Sequence, residues 1–435
     1  MDWKKQYQEK CRSVEEAVKS VKSGDRIYVG TASSVAYKLC DALYERKEEL
    51  EDVVICLGMM PRVLPFFLPE AKGHFSTCSY FVGVGERVGA KDHQVEWTSL
   101  HLSQIRSWCK NIAKPNVAFL EVSQPDADGY MSLGAYGTAF HDYVRELADL
   151  VVLQVNKNVP YVYGKNNLVH VSQADIIAEA DDELVNLPNL PFDDTVRTLS
   201  EHILPLIPDG ATIQLGLGGI SNAVGYGLKN HNDLGIHTEM LTDSMMDLMK
   251  AGNVTNRKKT YMPGKTVTAF ALGTTELYEF VDHNEDIYFA PFAEVNNPYN
   301  IAKNDNMISI NTAMSVDLYG QVVADCLRGK QQSATGGQVD YVRGAQMSKG
   351  GKSIIALTST LEKKGGTRLS KIVSSLPAGT AVTTARSDVQ YVATEYGCVD
   401  LSALTIQDRA RALIGLAHPD FRDELVEQAK QLGIF

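Results

Sequence analysis

A strand, a turn and a helical pattern occur twice in this sequence, 186 positions apart. Residues 24–30, GDRIYVG, align with residues 210–216, GATIQLG. A second pair of matching segments, of the form D-x-x-G, starts at residues 126 and 317, which are 191 positions apart. Two matches in the same order with nearly equal offsets indicate a duplicated α/β unit, although strand–turn–helix segments of unrelated α/β proteins also resemble one another.

Helices and strands alternate along the first copy. Ser13 and Glu16 have the spacing of a capping box, which starts a helix, and Gly24 is expected to end it. A short strand is expected at residues 26–30, a helix at residues 35–50 and a buried strand at residues 53–57. This alternation is typical of a parallel sheet. We therefore expect an α/β fold of two similar domains with mainly parallel sheets.

Two prolines near the middle of the chain mark the expected domain boundary. Pro188 and Pro191 favour extended chain over helix. We therefore expect an N-terminal domain at residues 1–190 and a C-terminal domain at residues 191–435. Apolar residues at helical spacing in residues 405–433 predict a helical C-terminal tail.

Charge and cysteine usage exclude several classes of protein. The chain has 53 acidic and 42 basic residues, a formal charge of −11, which does not suit general nucleic-acid binding. Its seven cysteines are scattered and form no CxxC pair, and no HExxH occurs, so we expect neither a disulfide framework nor a zinc site. No apolar run reaches the roughly 18 residues of a membrane helix, and no signal peptide is evident. These features predict a reduced, soluble, cytoplasmic protein.

A glycine-rich turn follows the strand of the second copy. Gly216, Leu217 and Gly218 lie in it, and bare amides there could face a phosphate or an oxyanion. The spacing also resembles a dinucleotide-binding turn, but Ser221 stands where that fingerprint has Gly or Ala. Dinucleotide binding, a purely structural turn and an oxyanion or acyl-binding loop all remain open from spacing alone.

Glu239 follows an apolar run that begins at Leu234. Such a strand would deliver a carboxylate to the carboxyl edge of a parallel sheet, where open α/β folds bind ligands; an exposed glutamate at a strand end is the alternative. His237 would share a face with Glu239, and a packed or solvated histidine is favoured there over a catalytic one. The repeat places Val53, or Ile55 after a slip of two, opposite Glu239, so the acid occurs in the second copy only.

A second glycine-rich turn spans residues 333–340 and contains Gly336 and Gly337. It could expose amides to a ligand or simply end a strand. Asn311, which follows an apolar strand, could orient a carboxylate or cap a turn. Basic residues are concentrated in residues 343–371 and could hold a polyphosphate or form a solvated face. The candidates for phosphate contacts are Lys349, Lys352 and Lys371.

Several of these segments belong to an ordered series that resembles the acetyl-CoA hydrolase/transferase family. The likeness covers nearly the whole chain and is closest to butyryl-CoA:acetate and 4-hydroxybutyrate CoA-transferases. The segments are GLGGI (216–220), GIHTEM (235–240), DLYG (317–320), GGQVD (336–340), TEYG (394–397), QDRARALI (407–414) and AHPDF (417–421).

The resemblance implies two domains of the NagB/RpiA/CoA-transferase type and assigns roles to individual residues. Glu239 matches the family's catalytic glutamate, and Asn311 matches an asparagine near it. The amides of Leu217 and of Gly337, or its neighbour Gly336, match turns that form an oxyanion hole. The three lysines match no family residue, so their contact with coenzyme A rests on charge alone.

The reaction implied by the resemblance is the exchange of coenzyme A between two carboxylic acids through a glutamyl-CoA thioester. This exchange is nearly isoenergetic, so we expect no permanently bound cofactor and no metal, with a coenzyme A thioester as substrate. We expect small carboxylic acids as partners, no nucleic acid or membrane, and a homo-oligomer. Butyryl-CoA with acetate is favoured, because no residue stands out as a partner for a substrate hydroxyl. A 4-hydroxybutyrate CoA-transferase, an acyl-CoA hydrolase and a non-catalytic acyl-CoA binder are the alternatives.

Overall fold

A computed structural model describes residues 2–92, 94–189, 191–363 and 365–435. Leu190, the last residue of the predicted N-terminal domain, lies outside the described residues, and a division there stays a prediction. The chain forms two compact units. The first unit contains the chain up to Pro188, Glu239–Leu241 and Val267–Val295. The second unit contains Asn189–Thr238, Thr242–Thr266 and Asn296–Phe435.

Most strands of the first 188 residues join one sheet. Among the described residues this sheet has nine strands, in the order β1-β11-β9-β7-β2-β4-β5-β6, with β3 paired to β2. All neighbours along this path are parallel. The strands are β1 (Cys11–Arg12), β2 (Arg26–Thr31), β3 (Ser34–Val35), β4 (Val53–Gly58), β5 (Phe75–Ser79), β6 (Val95–Trp97), β7 (Val117–Val122), β8 (Tyr130–Ser132), β9 (Leu150–Val155), β10 (Leu168–His170) and β11 (Ile176–Glu179).

A second sheet is formed by later strands, in the order β15-β14-β13-β12-β16-β21-β25-β26. The pairs β13–β12, β12–β16, β16–β21 and β21–β25 are parallel, and β25–β26 is antiparallel. The strands are β12 (Thr212–Leu215), β13 (Gly235–Leu241), β14 (Thr266–Ala271), β15 (Ile287–Phe289), β16 (Met307–Thr312), β17 (Ser315–Asp317), β18 (Val322–Val323), β19 (Cys326–Leu327), β20 (Lys330–Gln331), β21 (Lys352–Ala356), β22 (Thr360–Glu362), β23 (Arg368–Ser370), β24 (Ile372–Val373), β25 (Tyr391–Thr394) and β26 (Gly397–Asp400).

Helices connect these strands, as expected for parallel sheets. They are α1 (Trp3–Lys10), α2 (Val14–Ala17), α3 (Tyr37–Glu45), α4 (Glu86–Gly89), α5 (Ile105–Trp108), α6 (Gly134–Gly137), α7 (His141–Leu147), α8 (Asp194–Ile203), α9 (Gly219–Gly227), α10 (Asp243–Lys250), α11 (Thr275–Val281), α12 (Phe292–Val295), α13 (Pro298–Ile301), α14 (Gln338–Met347), α15 (Ile406–Leu416) and α16 (Pro419–Gln431). In the part of the chain that the structure describes, none of these helices is both long and apolar enough to cross a membrane.

The predicted fold class is confirmed, with parallel sheets and a helical C-terminal end. The capping box at Ser13 is present, since Ser13 Oγ accepts from Glu16 N at 3.2 Å and Ser13 N donates back to Glu16. Two helix lengths differ from expectation. The α2 helix has only four residues before a 3₁₀ turn, and α3 is shorter than the predicted 35–50 because a 3₁₀ turn replaces its last part.

Two of the segments in the family series, DLYG (317–320) and QDRARALI (407–414), have a structural role in the second unit. Arg409 is buried, and its guanidinium donates to the carbonyls of Tyr319, Arg386 and Leu401. Gly320 lies beside it with φ +87°, and a Cβ there would come within 3.1 Å of Arg409 Nη1. The DLYG turn and the QDRARALI helix are therefore joined by one buried cation.

Candidate functional site

The first glycine-rich turn connects β12 to α9, as the sequence predicts. Gly216 N donates to Ile310 O at 3.1 Å, which ties the turn to β16. Gly218 has φ +118° and precedes the first residue of α9, so it adopts a conformation that favours glycine. Leu217 is exposed. Because the first amides of a helix have no carbonyl partner within it, this turn offers donors to an anionic group.

Asn311 lies in β16 and is held by a neighbour on β12. Asn311 Nδ2 donates to Gln214 Oε1 at 3.2 Å, and Gln214 Nε2 donates to Asn311 Oδ1 at 3.4 Å. Both side chains are buried. This reciprocal pair fixes the orientation of the Asn311 amide beside the first glycine-rich turn.

The second glycine-rich turn opens a helix rather than ending a strand. Gly336 has φ +61°, and Gly337 is the N-cap of α14. Gln338, the first residue of α14, donates from Nε2 to Thr312 O at 3.0 Å. Thr312 directly follows Asn311. The structure thus brings both glycine-rich turns and Asn311 to the carboxyl ends of β12 and β16, within the second unit.

Glu239 lies in β13 and belongs to the first unit, together with Met240 and Leu241. It is half-buried, whereas the other residues of this strand are buried. Thr268 Oγ1, on β14, lies 3.3 Å from the Glu239 carbonyl oxygen and donates to it. The negative charge of Glu239 also contributes, after burial, Tyr80 and Tyr28, to raising the pKa of the buried Tyr136. The strand continues to Leu241, so Glu239 is not its last residue.

The three predicted lysines lie in different surroundings. Lys371 is half-buried and donates from Nζ to Thr358 Oγ1 at 3.3 Å, and burial lowers its pKa to about 8 although Glu395 opposes this shift. Thr358 follows β21, whose residue Ile355 pairs with Asn311. Lys352 begins β21, at the opposite end of the strand from Ala356, and donates to Leu206 O at 3.1 Å.

Lys349 is an exposed side chain near Asp305, with Nζ 3.9 Å from Oδ2. Within the second unit, only Lys371 of the three therefore lies toward the carboxyl ends of β16 and β21, where Asn311 is found. Among residues 2–92, 94–189, 191–363 and 365–435, no cluster of three or more His, Cys, Asp and Glu side chains is arranged to bind a metal ion.

Comparison with known families matches both parts of the chain. Residues 1–188 match the N-terminal domain of acetyl-CoA hydrolase/transferase, and residues 273–429 match its C-terminal domain. The chain belongs to the acetyl-CoA hydrolase/transferase family. The predicted family and the predicted class of enzyme, a CoA-transferase, are confirmed.

Individual relatives are similar over their full length. The chain is 40% identical to 4-hydroxybutyrate coenzyme A transferase of Clostridium kluyveri, over 99% of this chain and 100% of the relative. It is 36% identical to butyryl-CoA:acetate CoA-transferase of Anaerostipes caccae, over 100% of this chain and 99% of the relative. The crystal structure of RipA from Yersinia pestis matches with a TM-score of 0.92 and 34% identity, over 100% of both chains.

Sequence reasoning missed two residues beside the candidate site. Gln214 was visible as a polar residue inside an apolar strand, which is a signal for a paired or functional side chain. Tyr136 carried no such signal. It lies 103 positions before Glu239 in the chain, in the four-residue helix α6, and only the folded structure shows that the charge of Glu239 affects its pKa.

Proposed function

We propose that this protein transfers coenzyme A between a short-chain acyl-CoA, with butyryl-CoA favoured, and acetate. The observation that carries the proposal is the half-buried Glu239 in a strand whose other residues are buried. A carboxylate in this position is accessible to a substrate and partly shielded from water. Membership of the acetyl-CoA hydrolase/transferase family supports the reaction class.

In the proposed reaction Glu239 is the nucleophile. Its carboxylate attacks the acyl-CoA carbonyl, the C–S bond breaks, and an acyl-glutamyl anhydride and CoA thiolate form. The thiolate then attacks the glutamyl carbonyl and releases the free acid, which leaves a glutamyl-CoA thioester. Acetate attacks this thioester, and the same two steps in reverse release acetyl-CoA and the free carboxylate. At the end of the cycle the free enzyme is regenerated, with its charge and composition unchanged.

Each of these steps passes through a tetrahedral oxyanion. We assign its stabilisation to the backbone amides of Leu217 and of Gly337 or Gly336, and we assign to Asn311 the role of orienting the reacting carboxylate. The Gln214 pair supports this role, because a fixed amide loses no orientational freedom in the reaction.

We propose Lys371 as a contact for the anionic part of coenzyme A, with Lys349 and Lys352 as further predicted contacts. Lys371 has the strongest support, since it lies toward the carboxyl end of the sheet. Its lowered pKa of about 8 leaves the amine protonated in neutral solution, so it can pair with a phosphate or carboxylate.

A 4-hydroxybutyrate CoA-transferase is the second candidate, and the 40% identity to such an enzyme favours it. A site that hydrogen-bonds the substrate hydroxyl would reject butyryl-CoA strongly, whereas an apolar pocket discriminates weakly. Comparing kcat/KM for butyryl-, propionyl- and 4-hydroxybutyryl-CoA at fixed acetate decides between them. We expect values within about tenfold of one another, and a hundredfold preference for 4-hydroxybutyryl-CoA would show the second function.

One assay tests the reaction class. The protein is incubated with butyryl-CoA, with and without acetate, while butyryl-CoA, acetyl-CoA and free thiol are measured. We expect acetyl-CoA only when acetate is present and little free thiol in its absence. Acetate-independent release of thiol would instead show a hydrolase, and the absence of turnover would show a binding protein.

A further inference from the structure

Two cysteines occupy opposite positions on neighbouring strands of the first unit. Cys56 on β4 is the register partner of Cys78 on β5, and these two strands are parallel. A third cysteine is near, since Cys56 Sγ donates to Ala113 O at 3.6 Å and Cys109 begins the helical turn that ends at Ala113. All of these thiols are free. The sheet therefore holds two reduced cysteines side by side.

Both thiols lie on the same face of the first sheet. Side chains of register partners in parallel strands are on one face, and alternate residues are on the other. Ile55 and Leu57 belong to the apolar core of the opposite face. The face of the thiols is covered by the helical segment that starts before Cys109. Tyr80, two residues after Cys78, packs on Trp108 of this segment with ring centroids 5.0 Å apart.

The spacing of the two strands suits a disulfide bond. Neighbouring strands are about 4.7–4.9 Å apart, and the Cα atoms that a disulfide joins are usually about 4.4–6.8 Å apart. The Cβ atoms of a disulfide are about 3.5–4.5 Å apart, so the two strands must move slightly together. A bond formed in this way is strained, and strained disulfides are reduced readily.

Cys78 is the thiol that an oxidant reaches first. It is 7% exposed, whereas Cys56 is fully buried. On its other side Cys78 is paired with Glu96 of β6, a three-residue strand at the edge of the sheet. Glu96 is exposed, so only one short strand separates the Cys78 thiol from solvent at this edge.

The surroundings of the pair favour reaction at Cys78. Arg26 Nε donates to Ala113 O, the same carbonyl oxygen that accepts from Cys56, so a positive charge lies beside the pair. Interaction with the Cys56 thiol holds the pKa of Cys78 below its usual value, burial opposes this shift, and Arg26 adds to it. Because the thiolate is the reactive form, Cys78 is the better nucleophile of the two.

We propose that Cys56 and Cys78 are a redox modification site, at which hydrogen peroxide converts the two thiols into a disulfide bond. The Cys78 thiolate attacks the peroxide, the O–O bond breaks, and Cys78 becomes a sulfenic acid. Cys56 then attacks the Cys78 sulfur, the S–O bond breaks, and the disulfide forms. In total, two thiols and one hydrogen peroxide give one disulfide and two water molecules. A small thiol such as glutathione returns the two electrons by thiol–disulfide exchange.

The wild-type protein tests this inference without an activity measurement. The folded protein is treated with a small excess of hydrogen peroxide, the remaining thiols are blocked, and peptides are mapped by mass spectrometry without reduction. We expect one linked pair of peptides, which contains Cys56 and Cys78, and its loss after treatment with glutathione. Cys40, which is fully buried in α3, is the internal control and should stay reduced.

Two variants test the order of the steps. Cys78→Ala should abolish the link and leave Cys56 reduced, because the oxidant does not reach the buried thiol. Cys56→Ala should leave Cys78 as a sulfenic acid, which dimedone captures, because the thiol that resolves it is missing. Cys40→Ala is the matched control and should form the Cys56–Cys78 link in the same amount as the wild type.

The pattern of links decides the outcome. A link between Cys56 and Cys78, together with reduced Cys40, would support the inference. A link from either cysteine to Cys109, any link that includes Cys40, or a Cys78 that stays unmodified would overturn it. None of these measurements depends on transfer of coenzyme A, so the inference and the proposed function stand or fail separately.

Discussion

The two sheets of this protein share a strand order except at one edge, where the first has the first strand of the chain and the second has the last, and they also differ in the residue at one corresponding position. The first sheet is β6-β5-β4-β2-β7-β9-β11-β1 when read from the opposite edge, and the second is β15-β14-β13-β12-β16-β21-β25-β26. In both sheets the strand that carries the repeated segment, β2 or β12, lies fourth. One of its neighbours is the next strand of the sheet along the chain, β4 or β13, and the other comes much later, β7 or β16. This agreement supports the duplication that the two sequence matches indicate. The last pair differs, since β11–β1 is parallel and β25–β26 is antiparallel.

The pairing register identifies the counterpart of Glu239. Ile27 pairs with Ile55 in the first sheet, and Ile213 pairs with Ile236 in the second. Corresponding residues of β4 and β13 are therefore 181 positions apart, and Gly58 is the residue of the first copy that corresponds to Glu239. The prediction of Val53 or Ile55 is wrong, because the segment between the first two strands of each copy differs in length by five residues.

Gly58 has no room for a side chain. A Cβ there would lie 2.5 Å from Cε1 of Tyr80. At the position that corresponds to Glu239, the first sheet therefore has a glycine, and the ring of Tyr80 occupies the space that a side chain there would need. The comparison shows that one copy has an acid at this position, whereas the other has a glycine covered by a buried tyrosine ring.

The largest expected effect comes from removing the acid itself. Glu239→Ala should lower the rate of transfer by roughly 10⁴-fold or more, since the proposed covalent intermediate cannot form. Thermal unfolding should change little, because the side chain is half-buried. Glu96→Ala, which removes an exposed strand glutamate of the first sheet, is the control and should keep full activity. Labelling of a different carboxylate, found by borohydride reduction after incubation with butyryl-CoA and peptide mapping, would contradict the assignment.

A smaller effect is expected at the second glycine-rich turn. Gly336→Val adds a branched side chain at φ +61° and shifts the amides of this turn. Loss of one oxyanion donor typically lowers kcat by about 10²–10³-fold, which is our expectation here. Gly264→Val controls for backbone strain, because Gly264 has φ +80° in an open turn of the same unit with no atom near its Cβ position. Full activity of Gly336→Val would show that this turn does not contact the reacting group.

Much of the fold could be predicted because it depends on local sequence patterns. The alternation of strands and helices, the capping box and the ordered family segments depend on residues close together in the sequence. The helix α1 was missed, since its residues are largely polar and give little apolar periodicity.

The buried hydrogen bonds of the first unit could not be predicted in the same way. Tyr28 and His141 are hydrogen-bonded although they lie 113 positions apart, and Tyr80 and Tyr136 although they lie 56 apart. A tyrosine in an apolar segment has the same appearance whether its hydroxyl is paired or not. Glu239 also belongs to the first unit, although its place in the sequence is within the second half.

Buried charges differ between the two units as well. In the first unit Glu86 accepts from Met60 N at 3.1 Å and from Gly83 N at 2.9 Å, and burial raises its pKa to about 7 despite these hydrogen bonds. In the second unit Lys259 donates to Ile236 O at 2.7 Å and to Lys265 O at 2.6 Å, and burial lowers its pKa to about 7. One unit therefore favours an uncharged carboxyl group, and the other favours an uncharged amine.

The smallest expected effect is a pair of opposite pH dependences. Burial raises the Glu86 pKa from 4.5 to about 7, so its contribution to the free energy of unfolding is present at low pH and lost as pH rises to 7. The advantage of Glu86→Gln over the wild type should thus grow by up to about 3 kcal/mol from pH 4.5 to pH 7. For Lys259, whose pKa falls from 10.5 to about 7, stability is lost as pH falls, so the advantage of Lys259→Met should grow from pH 10 to pH 7. Urea unfolding at several pH values measures both differences, and any loss of hydrogen bonds in the variants does not depend on pH. Slopes of the same sign would show that these two groups do not titrate as their burial requires.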